Sequence, residues 1–277
     1  MGARQGGKGR AKPGVAKRAK AGTPKGPARA GGTDAVIEGA YALFEDGRFE
    51  EGLVALRAAT KKHPNDVMMA ETFAASLAEF GEQEEAIAAL KRAAMLSPNE
   101  GYEKFMYLGQ LLDDGEAATM CTRQGLAILE AQARAGDEDA QGQHASACCA
   151  LAEQILGTAD EMDDETGAQV EELINRARAS DPASPEPLQL LASLKNEQGK
   201  SDEALAVLKE SMEMWRRGAM HREGDDSHEA EEFQNEFDVS FEFRFETAKL
   251  LLELDTSTET AQEILCELLR ERDDNVD

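Results

Sequence analysis

Aromatic residues are scarce in this chain, which has one Trp, three Tyr and ten Phe among 277 residues. With Ala, Leu and Glu dominant, that composition suits stacked helices with small-residue contacts better than a sheet-based core. No run of about 18 apolar residues occurs, so no segment is expected to span a membrane. The N-terminus lacks the apolar core of a secretory signal. Cysteine is limited to Cys121, Cys148, Cys149 and Cys266, with no CxxC pair. All four sit among helix-forming residues and are expected to be buried small hydrophobes in a reducing compartment. His63, His144, His221 and His228 are scattered, with no His-x-x-x-His pair for a metal. No hydrolytic triad or dinucleotide loop can be assembled, so neither enzyme activity nor a cofactor is expected. Gly2, Gly7 and Lys8 begin a phosphate-cradling pattern, but Gly9 replaces its Ser/Thr and no apolar strand precedes it.

What is present is a repeat. Gly47, Gly52, Leu56, Ala59 and Pro64 are spaced 5, 4, 3 and 5, and Gly81, Ala86, Leu90, Ala93 and Pro98 repeat that spacing 34 residues later. Small residues at those points let two helices touch closely, a bulky apolar residue seals them, and proline ends the second helix. A 34-residue helix–turn–helix period of this kind resembles the tetratricopeptide (TPR) repeat. Such units cannot bury their apolar faces alone and stack into a curved solenoid with a binding groove. The expected fold is all-α: a TPR-like α-solenoid of about six helix–turn–helix units with irregular acidic insertions.

Charge is uneven. The formal net charge is −25, yet residues 1–33 carry nine basic residues and no acid. The rest holds 21 basic against 55 acidic residues, a balance of −34. A body this acidic repels phosphate backbones and anionic lipid and attracts a basic protein.

Along the chain, residues 1–33 are rich in Gly, Ala, Pro and Lys/Arg and are expected to be a disordered basic tail. Its Lys17–Lys20 cluster reads as a nuclear localisation signal or an RNA-touching arm. The solenoid is expected over 34–275. Its first unit opens near Thr33, its second pairs Val67–Phe80 with Glu84–Leu96, and its third turns at Gly115. Polar or acidic interruptions are expected near 134–143, 158–166 and 217–238. Val170, Ile174, Ala177 and Pro182 restore the 4, 3, 5 spacing, and Gly199, Ala204, Leu208, Ser211 and Arg216 the full one. A last unit runs from Phe241 to Leu268. Another unit would be expected near Asp277, so the last helix is either a cap or the sequence is one unit short.

In a TPR stack the first helix of each unit lines the concave face. Placing its exposed stripe on this sequence gives groove candidates Glu71, Glu79, Glu103, Asp113, Asp114, Glu153, Glu186, Glu197, Glu242 and Glu253. Apolar candidates are Tyr41, Phe44, Met68, Met106 and Phe245. A mostly acidic stripe is what a groove for basic side chains requires, and it argues against an adaptor that grips acidic C-terminal peptides with Lys/Arg.

Four stretches carry a closer resemblance: Lys104–Leu111 (KFMYLGQL), Glu186–Leu194 (EPLQLLASL), Ser211–Trp215 (SMEMW) and Phe243–Leu251 (FRFETAKLL). They look like the dedicated eukaryotic assembly chaperones of large-subunit ribosomal protein four. That resemblance covers about residues 34–275 and leaves out the basic tail. It implies a cytoplasmic and nuclear protein that shields the basic extension of the newly made ribosomal protein until ribosome assembly. The missing C-terminal repeat departs from the pattern. A TPR adaptor or scaffold subunit of another complex is the alternative.

Overall fold

The computed structural model describes residues 33–81, 83–159, 162–220, 239–254 and 258–273. The basic segment 1–32, Asp160 and Glu161 of the second interruption, and the acidic segment 221–238 with its two histidines lie outside the described residues. Within them are twelve helices and no strand, and none is long and apolar enough to cross a membrane. They fall into two units, each described by itself.

The first unit contains α1 (Thr33–Glu45), α2 (Phe49–Lys62), α3 (Val67–Phe80), α4 (Gln83–Leu96), α5 (Glu103–Leu111), α6 (Gly115–Arg134), α7 (Glu138–Thr158), α8 (Asp164–Ser180), α9 (Glu186–Glu197) and α10 (Ser201–Met220). Consecutive helices pair as five hairpins. The odd-numbered helices form one layer, with α1 on α3, α3 on α5 and α7 on α9. Gln154 Nε2 on α7 donates to the Gly109 carbonyl of α5 at 2.9 Å and continues that layer.

The spacing that marks the repeats is the packing seam. Leu56, Leu90, Ile174 and Leu208 occupy equivalent positions and are fully buried, as are Ala93 and Ala177. Each such large side chain contributes about 1.5–3 kcal/mol through burial. Gly52 lets α2 approach α1: a Cβ there would lie 2.3 Å from the Phe44 ring. The hairpin turns at Gly47 and Gly199 use φ of +75° and +72°, where a side chain is strained.

Several acids cap helices instead of facing a partner. Asp66, Asp114, Asp137 and Asp163 accept from the backbone N–H groups of Met69, Ala117, Ala140 and Thr166 at 2.7–3.1 Å. Each cap satisfies an otherwise orphaned donor and complements the helix dipole. The loops between hairpins are latched by the second helix of the hairpin that follows. Arg92 donates to the Pro64 carbonyl at 2.6 Å, Gln124 to that of Pro98 at 3.4 Å, and Ser211 to that of Pro185 at 2.9 Å.

Four expected boundaries differ from the structure, the first being the 158–166 interruption, which is shorter because α7 runs to Thr158 and the Asp163 cap starts α8 at Asp164. Gly115 does not turn the third hairpin but starts α6 behind the Asp114 cap, so the turn is Leu112–Asp114. Most of 134–143 is helical: α6 ends at Arg134, and α7 starts at Glu138 because Asp137 caps it and Ala140 is buried. Helix α10 continues through Met220. Of the cysteines, Cys148 and Cys149 are buried and Cys121 is half-buried, but Cys266 is exposed on the outer side of its helix.

The second unit is one hairpin of α11 (Phe241–Glu253) and α12 (Thr258–Asp273). Ser240 Oγ caps α11 by accepting from Phe243 N at 3.1 Å. Ala248, Leu251, Ala261, Ile264 and Leu268 close the seam, and Arg244 pairs with Glu271 across it.

Candidate partner-binding face

The odd-helix layer holds most of the acids expected to face a groove, but the structure uses several of them internally. Glu71 on α3 accepts from Ser97 Oγ at 2.6 Å and from Lys104 Nζ at 2.5 Å. The Lys104 side chain is 2% exposed and also donates to Ser97 Oγ and the Glu100 carbonyl. A buried ammonium needs an anion and full hydrogen bonding, so Glu71 is a structural counter-ion and not a free groove acid. Asp114 is a helix cap. Phe44 is 8% exposed and packs over Gly52 and against Phe80, which makes it core. Tyr41 is half-buried with its ring edge-on to Phe44 at 6.1 Å. Met106 is half-buried against the central core, while Met68 is 40% exposed.

Other acids remain at the surface of the first unit. Glu79 accepts from Tyr107 Oη at 2.8 Å, which fixes its carboxylate on the α3–α5 seam. Glu103 begins α5, Asp113 lies in the turn before α6, and Glu197 ends α9; all three are exposed. Glu242, Glu253 and Phe245 belong to the second unit, where Phe245 is 43% exposed and stacks on Phe241 at 6.5 Å.

The electrostatic focus of the first unit lies where α7, the end of α8 and the start of α9 meet. Glu186, the first residue of α9, is half-buried. Burial, and then the neighbouring charges of Glu153 and Asp181, push its carboxyl up to about 7. Asp181 is itself fixed by accepting from Ala183 N and Ser184 N at 3.0 and 3.2 Å. Beneath them, burial and then Glu186 push the Cys149 thiol up, and burial alone raises the Cys148 thiol to about 11. These thiols are neutral small hydrophobes, not nucleophiles. Asp181 is the member of this group that the helix-stripe reading missed. It lies between α8 and α9, beyond the reach of a stripe drawn on first helices.

On the even-helix layer, Glu130 of α6 takes Arg134 at 3.0 Å and also Arg176 of α8. His144 of α7 joins this group through Glu130 at 3.7 Å and Ser180 Oγ at 2.6 Å. Burial, and then Arg134, lower its pKa, so at neutral pH it is an uncharged link among three helices. Among the described residues no group of three or more His, Cys, Asp or Glu is placed to hold a metal ion.

No family model matches the chain, and no curated protein matches it. Among solved structures it is similar to an assembly chaperone of RpL4, Acl4 (residues 1–338). The identity is 22%, with 87% of this chain and 91% of that one covered and a TM-score of 0.72. It is also similar to PilW, a type IV pilus biogenesis factor, at 13% identity, 85% and 91% coverage and a TM-score of 0.57. For MamA the values are 18% identity, 68% and 94% coverage and a TM-score of 0.55. The likenesses establish a TPR-like helical-repeat fold.

Proposed function

We propose that this chain is a dedicated chaperone for a newly made, strongly basic ribosomal protein, large-subunit protein four, held against the odd-helix face of its repeats. The observation that carries this reading is the convergence of Glu186, Glu153 and Asp181 where α7, α8 and α9 meet; burial and then the two neighbouring charges push the Glu186 carboxyl up to about 7 there. A guanidinium or ammonium group placed there supplies the missing countercharge and drives Glu186 to ionise, which makes the contact charge-assisted. The −34 body around it steers a cationic chain toward this face. The TPR-like fold supplies the surface, and likeness to an RpL4 assembly chaperone supports the choice of partner. On this reading the chain is a binding protein and not an enzyme, and it meets its partner in the cytoplasm and serves assembly in the nucleus. Glu79, Glu103, Asp113, Glu153, Glu186 and Glu197 are the proposed contacts in the first unit, with Glu242, Glu253 and Phe245 in the second.

The test is co-expression with ribosomal protein four followed by affinity purification over a salt gradient. A complex is expected near 0.15 M salt and its loss near 1 M, where the Debye length shrinks from about 8 to about 3 Å. The Glu153→Lys/Glu186→Lys variant is expected to lose the complex while keeping its helical signal. Failure to recover that ribosomal protein from co-expressing cells sinks the partner assignment. Stoichiometric co-purification within a different large assembly supports a scaffold instead.

A further inference from the structure

A surface of the opposite chemistry lies on the even-helix side of the first unit. Helices α2 and α4 both pack on α3 and hardly touch each other. The slot between them stays unfilled because α4 lines it with two alanines, Ala88 and Ala89. Ala70 and Phe73 of α3 form its floor, and its volume is about 220 Å³. Thr60 of α2 lines it too, but spends its hydroxyl on the Leu56 carbonyl at 2.9 Å. An apolar cavity of about 150 Å³ takes a benzene ring, so this slot has room for one aromatic or branched aliphatic side chain.

The charge at its rim runs against the sign of the body. Glu85 is the one carboxylate among the described residues that line the slot. Arg57, whose guanidinium lies 6.0 Å from the Phe73 centroid, takes both Glu85 oxygens at 2.9 and 2.7 Å. At the other end Arg92 donates one N–H to the Pro64 carbonyl and keeps the remaining donors of its fork. Lys61 is exposed on α2, one turn after Arg57. The Glu85 carboxyl is held below its ordinary range by the Arg57 hydrogen bond first and by Lys61 as well, which puts the Lys61 ammonium at this rim. With Glu85 neutralised by Arg57, Lys61 and Arg92 leave the rim cationic.

We propose that this slot binds an acidic peptide segment of a partner protein through one large apolar side chain, with the peptide carboxylates on Lys61 and Arg92. The charge of the occupant follows from complementarity, since the groups left over at the rim are cations. A Debye length of about 8 Å at 0.15 M salt lets these adjacent charges outweigh the distant acids of the body. The apolar floor then supplies most of the affinity, as one buried ring or branched side chain.

Backbone amide spectra of the full chain, titrated at 0.15 M salt with the blocked peptides Ac-DDFDD-amide and Ac-DDADD-amide, test this. The Phe peptide is expected to shift amides around residues 57–61, 70–73 and 85–92. It should bind at least about tenfold tighter than its Ala counterpart, from burial of the ring. Ala88→Leu, which fills the slot from an exposed position, should remove that advantage with the helical signal unchanged. Lys61→Glu should weaken the Phe peptide about threefold or more. The proposal is overturned if the two peptides bind alike, if Ac-KKFKK-amide binds as tightly, if the shifts fall elsewhere, or if both variants bind as the parent does. Shifts at these amides that grow with protein concentration and exclude the peptide assign the slot to a second copy and overturn it too. None of these outcomes depends on a ribosomal partner, so this test stands apart from the proposed function.

Discussion

Replacing Gly109 by alanine should destabilise the chain, whereas the same change at Gly39 should stabilise it, although both sit inside helices. A Cβ at Gly109 would lie 2.0 Å from Thr122 Oγ1, 3.1 Å from Gln154 Nε2 and 3.3 Å from the Ala118 carbonyl. Thr122 is fully buried and donates to that same carbonyl at 3.2 Å, so it cannot swing clear without losing a bond. Overpacking of this kind costs about 1–3 kcal/mol. Displacing α5 also strains the Gln154 bond to the Gly109 carbonyl, worth about 1 kcal/mol. Alanine's better helix propensity returns about 1 kcal/mol, which leaves a net loss of about 1–3 kcal/mol. At Gly39 nothing lies within 4 Å, so only the gain of about 0.5–1 kcal/mol remains. Urea titrations followed by circular dichroism should place the two midpoints on opposite sides of the parent's. Thr122→Ala removes the clashing oxygen, so the Gly109→Ala/Thr122→Ala pair should recover most of the loss. If Gly109→Ala proved as stable as the parent, or the pair recovered nothing, the close-approach account of the seam would be wrong.

Glu71→Gln is expected to cost about 3–5 kcal/mol, because it leaves the buried Lys104 ammonium without its anion; a urea titration reads the loss. Lys104→Met should cost less, since the Glu71 side chain is 31% exposed and keeps its hydrogen bond from Ser97 Oγ. The Glu186 carboxyl rises from 4.5 to about 7 on folding, so the native state binds the extra proton between those values. Stability should therefore fall as pH rises through that window, by on the order of 3 kcal/mol. Glu186→Gln should flatten the profile, as denaturant midpoints at pH 5 and pH 7.5 will report; an unchanged slope would refute the assignment.

The repeats were legible because their signature is itself a contact: the 5, 4, 3, 5 spacing places Gly52, Leu56 and Ala59 on the seam that closes the hairpin. Val67–Phe80 agrees with the helix residue for residue, since Asp66 before it and Gly81 after it are readable stops. The first turns of α7 were not legible, because Glu138–Gln143 carry almost no apolar periodicity and owe their helicity to a cap and one buried alanine. Site residues proved harder. A stripe drawn on one helix cannot know that Lys104, 33 positions away, requires Glu71, nor that Phe44 must fill the space left by Gly52. The acids around Glu186 were half legible: Glu153 and Glu186 lie on first helices, while Asp181 enters from the loop before α9.

The carbonyls of Pro64, Pro98 and Pro185 find their side-chain donors 26 to 28 residues downstream. On a ribosome adding about 5–20 residues per second, that delay is roughly 1–6 s. During synthesis these three loops therefore wait for the next second helix before their carbonyls are satisfied. At these points the stack sets behind the growing end, one hairpin late, and a pause in translation just before Arg92, Gln124 or Ser211 is emitted would hold the nascent protein with one latch open.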